Sequence, residues 1–234
     1  MNRLLLGVLT LVLCNALVRA AEPSGDVVID GDDEFKKSIH DLLDKKISLE
    51  LKDGTTLYAA VLLLRGLSSA NVIVDPKLGA AKLALKIEGT QTKNAIDQIC
   101  KLVSAGWDVR NGAIFIFPGG KAPPRAKIPQ AKDPWEVDTL KKLATKIRLN
   151  FVDFGVKDIV GQISDLTKVN ISLDPKFVGN RFDDLNKIPV TLEVSKMRAD
   201  DALTWICYFA GAEWTLKKDD GGVGTVWITK RTEK

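Results

Sequence analysis

The chain has 234 residues, 45% of them hydrophobic and 27% charged, with a formal net charge of +4. That composition belongs to folded globular chains and excludes disordered, collagen-like and coiled-coil ones. The length allows one or two domains, and a charge this near neutral lacks the concentrated basic field that nucleic-acid binding requires.

Residues 1–20 have the shape of a secretory signal peptide. Arg3 supplies the positive start, Leu4 to Cys14 an apolar run broken only by Gly7 and Thr10, and Val18-Arg19-Ala20 the small or modest residues before a cut ahead of Ala21. The run is too short to span a bilayer, which takes about 20 residues; a retained anchor is the alternative, and Leu13 is too bulky for lipoprotein processing at Cys14. No later segment is long and apolar enough to cross a membrane. The mature chain is therefore expected to be periplasmic or secreted, with a net charge of about +2 once Arg3 and Arg19 are removed. It keeps Cys100 and Cys207, too few for a disulfide framework.

The rest reads as one unit written twice. Lys46-Ile47-Ser48-Leu49 matches Lys146-Ile147-Arg148-Leu149, Asn71–Pro76 (NVIVDP) matches Asn170–Pro175 (NISLDP), and Ile99-Cys100 with Trp107 matches Ile206-Cys207 with Trp214. The first copy carries one extra residue early; the second carries eight more between Pro175 and Pro189. In chain order each copy opens with a short helix (Glu34–Asp44, Val137–Ala144) and a strand. A helix follows, with a predicted buried stripe at Leu57, Ala60, Val61, Leu64 and Leu67 or at Val156, Ile159, Val160, Ile163 and Leu166. Next come the strand ended by Asp-Pro and an alternating strand at Leu83, Leu85 and Ile87 or at Val190, Leu192 and Val194. A second helix buries Ala95, Ile96, Ile99, Leu102 and Val103 or Ala202, Leu203, Ile206, Phe209 and Ala210. A closing hairpin turns at Asn111-Gly112, the strongest short hairpin signal, or over the looser Asp219–Gly224. The expected fold is α+β: two tandem small βαββαβ-type domains, each of two helices packed with small sheets. Repeat 1 spans 33–117, a Pro/Gly-rich linker 118–132, and repeat 2 spans 133–230. The linker's composition predicts some relative mobility.

The order ISLELKD, LYAAVLLLRGLSSANVIVDP, LALKIEGTQTKNAIDQIC, GWDVRNGAIFIF, and its second version IRLNFVD, VKDIVGQISDLTKVNISLDP, VTLEVSKMRADDALTWIC, resembles the secretin and TonB short N-terminal domain family. The likeness covers most of the mature chain and contains no catalytic signature. It implies modules without cofactor or chemistry that bind envelope, secretion or pilus proteins, often through strand edges. The chain reaches Lys234 without a secretin's membrane β-domain or a receptor's plug and barrel, so the resemblance implies the interaction role alone, with assembly into a homo-oligomer a possible outcome. A periplasmic ligand-sensing or signalling pair is the alternative, and a small hydrolase with an unrecognised site a third.

Signals for chemistry are weak. His40 is the only histidine, there is no G-x-S-x-G or HExxH, and two cysteines with one histidine lack metal-ligand spacing. No catalytic, cofactor or metal residue is therefore assigned. Cys100 and Cys207 are either two buried free thiols or, if their helices face each other, a disulfide. Asp32-Asp33, Asp183-Asp184, Asp200-Asp201 and Asp219-Asp220 read as solvated turns and caps, Asp200-Asp201 opening a helix whose dipole favours acid. Gly221-Gly222 and Gly224 lack the lysine of a phosphate loop, and the Asn170-Ile171-Ser172 sequon lies within a predicted strand. The candidate partner-binding residues are those where the copies diverge outside the stripes. Tyr58 and Leu62 stand where copy two has Lys157 and Gly161; Trp205 and Tyr208 stand where copy one has Gln98 and Lys101. Either patch serves an external partner or meets the other domain inside the chain. N-terminal sequencing of the exported protein is expected to begin at Ala21; a chain still starting at Met1 would overturn the cleaved leader.

Overall fold

A computed structural model describes residues 33–119, 122–125, 128–175, 190–219 and 221–231. The leader, the Asp183-Asp184 pair and the extra residues between Pro175 and Pro189 lie outside these. The described residues form a mixed α+β structure of six helices and ten strands in four small sheets. In the first half these are α1 (Asp33–Asp44), β1 (Lys46–Thr56), α2 (Leu57–Ser68), β2 (Val72–Val74), β3 (Lys82–Gln91), α3 (Thr92–Leu102), β4 (Ala105–Arg110) and β5 (Ala113–Pro118). In the second they are α4 (Pro134–Leu143), β6 (Lys146–Phe154), α5 (Val156–Thr167), β7 (Asn170–Leu173), β8 (Val190–Arg198), α6 (Ala199–Phe209), β9 (Ala212–Lys218) and β10 (Gly224–Lys230).

Both halves pair their strands by one scheme. β1 runs antiparallel to β3, and β6 to β8; the other sheets are ordered β2-β5-β4 and β7-β10-β9, each with one parallel and one antiparallel pair. The register irregularity between Ile47 and Leu49 recurs between Ile147 and Leu149, with Gly89 and Lys196 at matching positive φ of 56° and 54°. The first copy's extra residue lies in the second irregularity, between Leu51 and Thr55, where Gly54 has φ 82°. A bulge absorbs an inserted residue at the cost of local twist, so the strand keeps its inward face on both sides of it. The aspartates of the two Asp-Pro ends donate their amides alike, Asp75 to the Ile116 carbonyl and Asp174 to that of Ile228. Asn111 and Gly112, at φ 45° and 69°, make the two-residue turn between β4 and β5.

The helix stripes end one position later than their spacing predicts. Leu67 and Leu166 are 40% and 53% exposed, and Ser68 and Thr167 are buried in their place. Their hydroxyls donate to the carbonyls of Leu64 and Ile163 and accept from the amides of Ala70 and Val169. The next residues, Ser69 and Lys168, are left-handed caps. A small hydroxyl residue fits beside this cap because it satisfies backbone groups that the ending helix leaves open. Leu102, predicted in the second stripe, is likewise 52% exposed, while Cys100 is buried.

Buried side chains fall into two clusters. One, around Leu57, Leu64, Ile96 and Ile99, belongs to the first half. The other, around Ile159, Ile163, Leu203 and Ile206, belongs to the second half but also takes in Ile73, Ala113, Phe115 and Phe117 from the first. Segment 118–132 does not run free across this junction: Ala122 and Ile128 pack on the second cluster, and Arg110 donates to the Pro123 carbonyl. The mobility that its composition predicts meets an apolar contact, which holds the halves together. Lys168 carries a left-handed penalty that glycine does not, so Lys168→Gly is expected to stabilise the fold by up to about 1 kcal/mol. A lower midpoint in denaturant titration would refute that reading of the cap.

Candidate functional site

The four candidate residues separate into two environments. Trp205 and Tyr208 lie on α6 and face the first half. The Trp205 side chain is 2% exposed; its ring lies 4.8 Å from that of Phe115, and its Nε1 donates to the Asn111 carbonyl at 2.9 Å. The Tyr208 hydroxyl donates to Asp75 at 3.1 Å, and its ring meets Phe115 edge-on at 5.5 Å. Trp205 is thus taken up inside the chain, and the half-buried Tyr208 turns its hydroxyl and a ring face to the first half. The sheet β2-β5-β4 has one apolar face toward its own helices and a second, made of Ile73, Phe115 and Phe117, toward α6. An aromatic α6 face is its complement.

Polar contacts ring this junction. The Asn71 side chain accepts from the Ser195 amide at 2.9 Å and donates to the Ser195 carbonyl at 3.1 Å, as a strand neighbour would. Arg65 pairs with Glu193 at 3.0 Å. Burial pushes the Arg65 guanidinium below its ordinary pKa, and the Glu193 carboxylate opposes that push. At the hairpin tip Asn111 donates to Asp201. A Cβ on Gly112 would stand 3.4 Å from Asp201 and Met197, so the tip lies within ordinary contact distance of the second half. Asp200 and Asp201 are buried, not solvated. Asp200 accepts from the Arg198 guanidinium and the Asp201 amide, which makes its burial tolerable. The half-open space lined by Arg110, Asn111, Pro124, Thr204, Trp205 and Tyr208 is about 10 Å³, room for one water at most.

Leu62 lies on α2 with its side chain outward, 39% exposed; Tyr58, one turn earlier, is half-buried. Helical spacing adds Leu63 and Leu67 to the same surface, at 50% and 40% exposure, with Gly66 between them. Nothing in the sequence pattern distinguishes Leu63, and helical spacing places Leu67 in the core stripe. Thr56 starts the helix by accepting from the Ala59 amide. The Leu57 and Tyr58 amides donate to the carbonyls of Ala81 and Gly79, in the turn that leads into β3. Arg65 is the one charged residue of α2, and Glu193 holds it at the edge. The matching surface of α5 carries Lys157, Asp158, Gln162 and Asp165, all exposed. An uncharged leucine surface on one helix, opposed by a charged one on its counterpart, can bury apolar area but has no group for acid–base or nucleophilic work.

His40 is exposed on α1. Cys100 and Cys207 are free and buried, and burial pushes both thiols up to about 12, which leaves them unreactive near neutrality. Among the described residues no group of three or more His, Cys, Asp or Glu side chains is placed to hold a metal, and no helix is long and apolar enough to cross a membrane. Searches of protein-family models, of curated proteins and of solved structures each found no match to this chain.

Tyr208 links the junction to pH. Burial, reinforced by the Asp75 carboxylate, pushes its phenol up to about 12. A raised folded-state pKa favours the protonated form, so this contribution is complete below the ordinary phenol pKa of about 10 and is lost as pH rises toward 12. Absorbance titration is expected to show a phenolate step near pH 12 that Tyr208→Phe removes; a Tyr208→Phe curve with that step intact would contradict the assignment.

Proposed function

We propose that the chain is an exported, non-enzymatic interaction module that docks onto cell-envelope, secretion or pilus machinery through the outer face of α2. The observation that carries this reading is the exposed surface of Leu62, Leu63 and Leu67 on α2, free of charge between them, where α5 has Gly161, Gln162 and Leu166 set among exposed Lys157, Asp158 and Asp165. Exposed leucines grouped on one helix favour association, because covering them removes apolar area from water at about 25 cal/mol per Å². Tyr58 borders the patch and adds an aromatic edge of the kind enriched at interfaces. The signal-like leader supports an extracytoplasmic setting, and the pattern resemblance to secretin and TonB short N-terminal domains supports partners among envelope proteins. The partner surface is apolar, since α2 offers no free charge to pair with.

Leu62→Asp and Leu63→Asp test this. Both side chains are substantially exposed, so each variant is expected to keep its folding stability within about 0.5 kcal/mol. A photo-crosslinker at Leu63 in the native envelope is expected to form an adduct with a secretion or pilus subunit, and Leu62→Asp to abolish it. If Leu62→Asp unfolds the isolated protein, the patch is internal and the docking reading fails. An adduct unaffected by Leu62→Asp, or none at all, sinks it equally.

A further inference from the structure

The junction between the halves uses two surfaces, and each half owns both. The first half presents the outer face of β2-β5-β4, with Asn71, Asp75 and Phe115, to α6 of the second. The second half owns the equivalent sheet face, on β7-β10-β9. Strand register places Ser172 beside Trp227 as it places Ile73 beside Phe115. Lys217 lies over the Trp227 ring at 5.2 Å, as Arg110 lies over Phe115 at 5.5 Å. Asn170 and Asp174 stand where Asn71 and Asp75 stand. Here Asn170 and Lys217 are exposed, and Ser172, Asp174 and Trp227 half-buried.

The complementary surface recurs on α3. Asn94, Gln98, Lys101 and Leu102, all exposed, occupy the places of Asp201, Trp205, Tyr208 and Phe209. The polar roles have counterparts on α3, while on the sheet Ile73, Phe115 and Phe117 give way to Ser172, Trp227 and Thr229. The Trp205 N–H donor becomes the Gln98 amide, the Tyr208 hydroxyl donor to Asp75 becomes the Lys101 ammonium opposite Asp174, and the apolar Phe209 becomes Leu102. Asn94 keeps an acceptor where Asp201 accepts from Asn111, although Lys218 and the longer loop to Gly224 replace the Asn111-Gly112 tip that faces it. The Asn71 contact is made to backbone groups of Ser195, so Asn170 can repeat it whatever side chain lies opposite. The Arg65–Glu193 pair becomes Ser164 with Lys86, which sets no like charges together.

We propose that the sheet face of the second half binds the α3 face of a second copy of this chain, head to tail, by repeating the internal junction between molecules. Losing the Trp205 and Tyr208 rings makes the contact weaker than its internal counterpart, and the Asp174–Lys101 pair gives it register. The contact is heterologous, so each added copy leaves the same two faces open and growth continues rather than stopping at a dimer. It uses neither Leu62 nor Leu63, and stands or falls separately from docking through α2.

Sedimentation equilibrium of the purified chain over a concentration series tests it. Open-ended association is expected, with a step Kd of about 10–500 µM. Lys101→Glu and Asp174→Lys should each weaken it about tenfold. The chain carrying both changes should regain it, as should an equimolar mixture of the two single variants. Gln98→Trp with Lys101→Tyr, which rewrites α3 as α6, should tighten association about tenfold or more, a gain that adding Asp174→Lys should reverse, whereas non-specific aggregation through the new rings would be indifferent to it. A chain that stays monomeric to about 1 mM together with no gain in the rewritten variant overturns the proposal. So does association indifferent to both charge reversals, or one that stops at a dimer and is lost in Leu63→Asp.

Discussion

Phe115 is the residue through which the two halves become one body. Its strand, β5, is the middle of a three-stranded sheet, and every residue from Ala113 to Phe117 is buried. A sheet covered on one side only would alternate; this one has its own helices beneath Ile114 and Ile116 and α6 above Ala113, Phe115 and Phe117. Uncovering that second face would expose two phenylalanines and an isoleucine together, at several kcal/mol. The apolar contact supplies the attraction. The surrounding polar pairs, Asn71 with Ser195, Asp75 with Tyr208 and Asn111 with Asp201, fix where it forms, because a misplaced alternative would forgo all three.

The two copies hold the same pairing scheme while differing on their surfaces, and the differences are complementary. Where the first half has Phe115 and Phe117 the second has Trp227 and Thr229, and where the second has Trp205 and Tyr208 the first has Gln98 and Lys101. The apolar version of each surface lies at the internal junction, and the more polar version lies at an open end. Terminal repeats of stacked arrays are expected to carry polar outer faces for solubility. Here the polar faces keep donors and acceptors in matching places, which reduces the strength of a further contact without removing its geometry.

Much of this was legible in the sequence. Strand order, the helices, the Asn-Gly turn and the burial of Leu57, Ala60, Val61 and Leu64 follow from periodicity and from comparing the copies, because interior positions repeat wherever the same core must be filled. Two things were hidden. Leu67 fits a helical stripe by spacing, but the hydroxyl of Ser68 and the left-handed Ser69 end the helix, and periodicity alone does not register a cap. Asp200 looks like an exposed helix-start acid, and only the fold brings Arg198 over it. The junction did leave a trace. Ala113–Phe117 is apolar at all five positions, whereas Thr225–Thr229 is apolar only at its middle three and ends in threonine on both sides; an unbroken run indicates a strand covered on both faces. Read with the unmatched aromatics Trp205 and Tyr208, that contrast identifies the two surfaces that meet.

The same reasoning explains why α2 stands apart. A helix in a small α+β unit needs one buried stripe, and its outer face is free to be charged, as on α5. α2 places no charge there except Arg65, which Glu193 of the other half holds at the edge of the junction. The leucine face therefore borders, through Arg65, the surface that joins the halves, while the core of the first half holds α2 in place. A perturbation that separates the halves removes the Glu193 partner and leaves Arg65, otherwise largely buried, to seek solvent beside Leu62. The external face and the internal junction thus share one helix, with Arg65 standing between them.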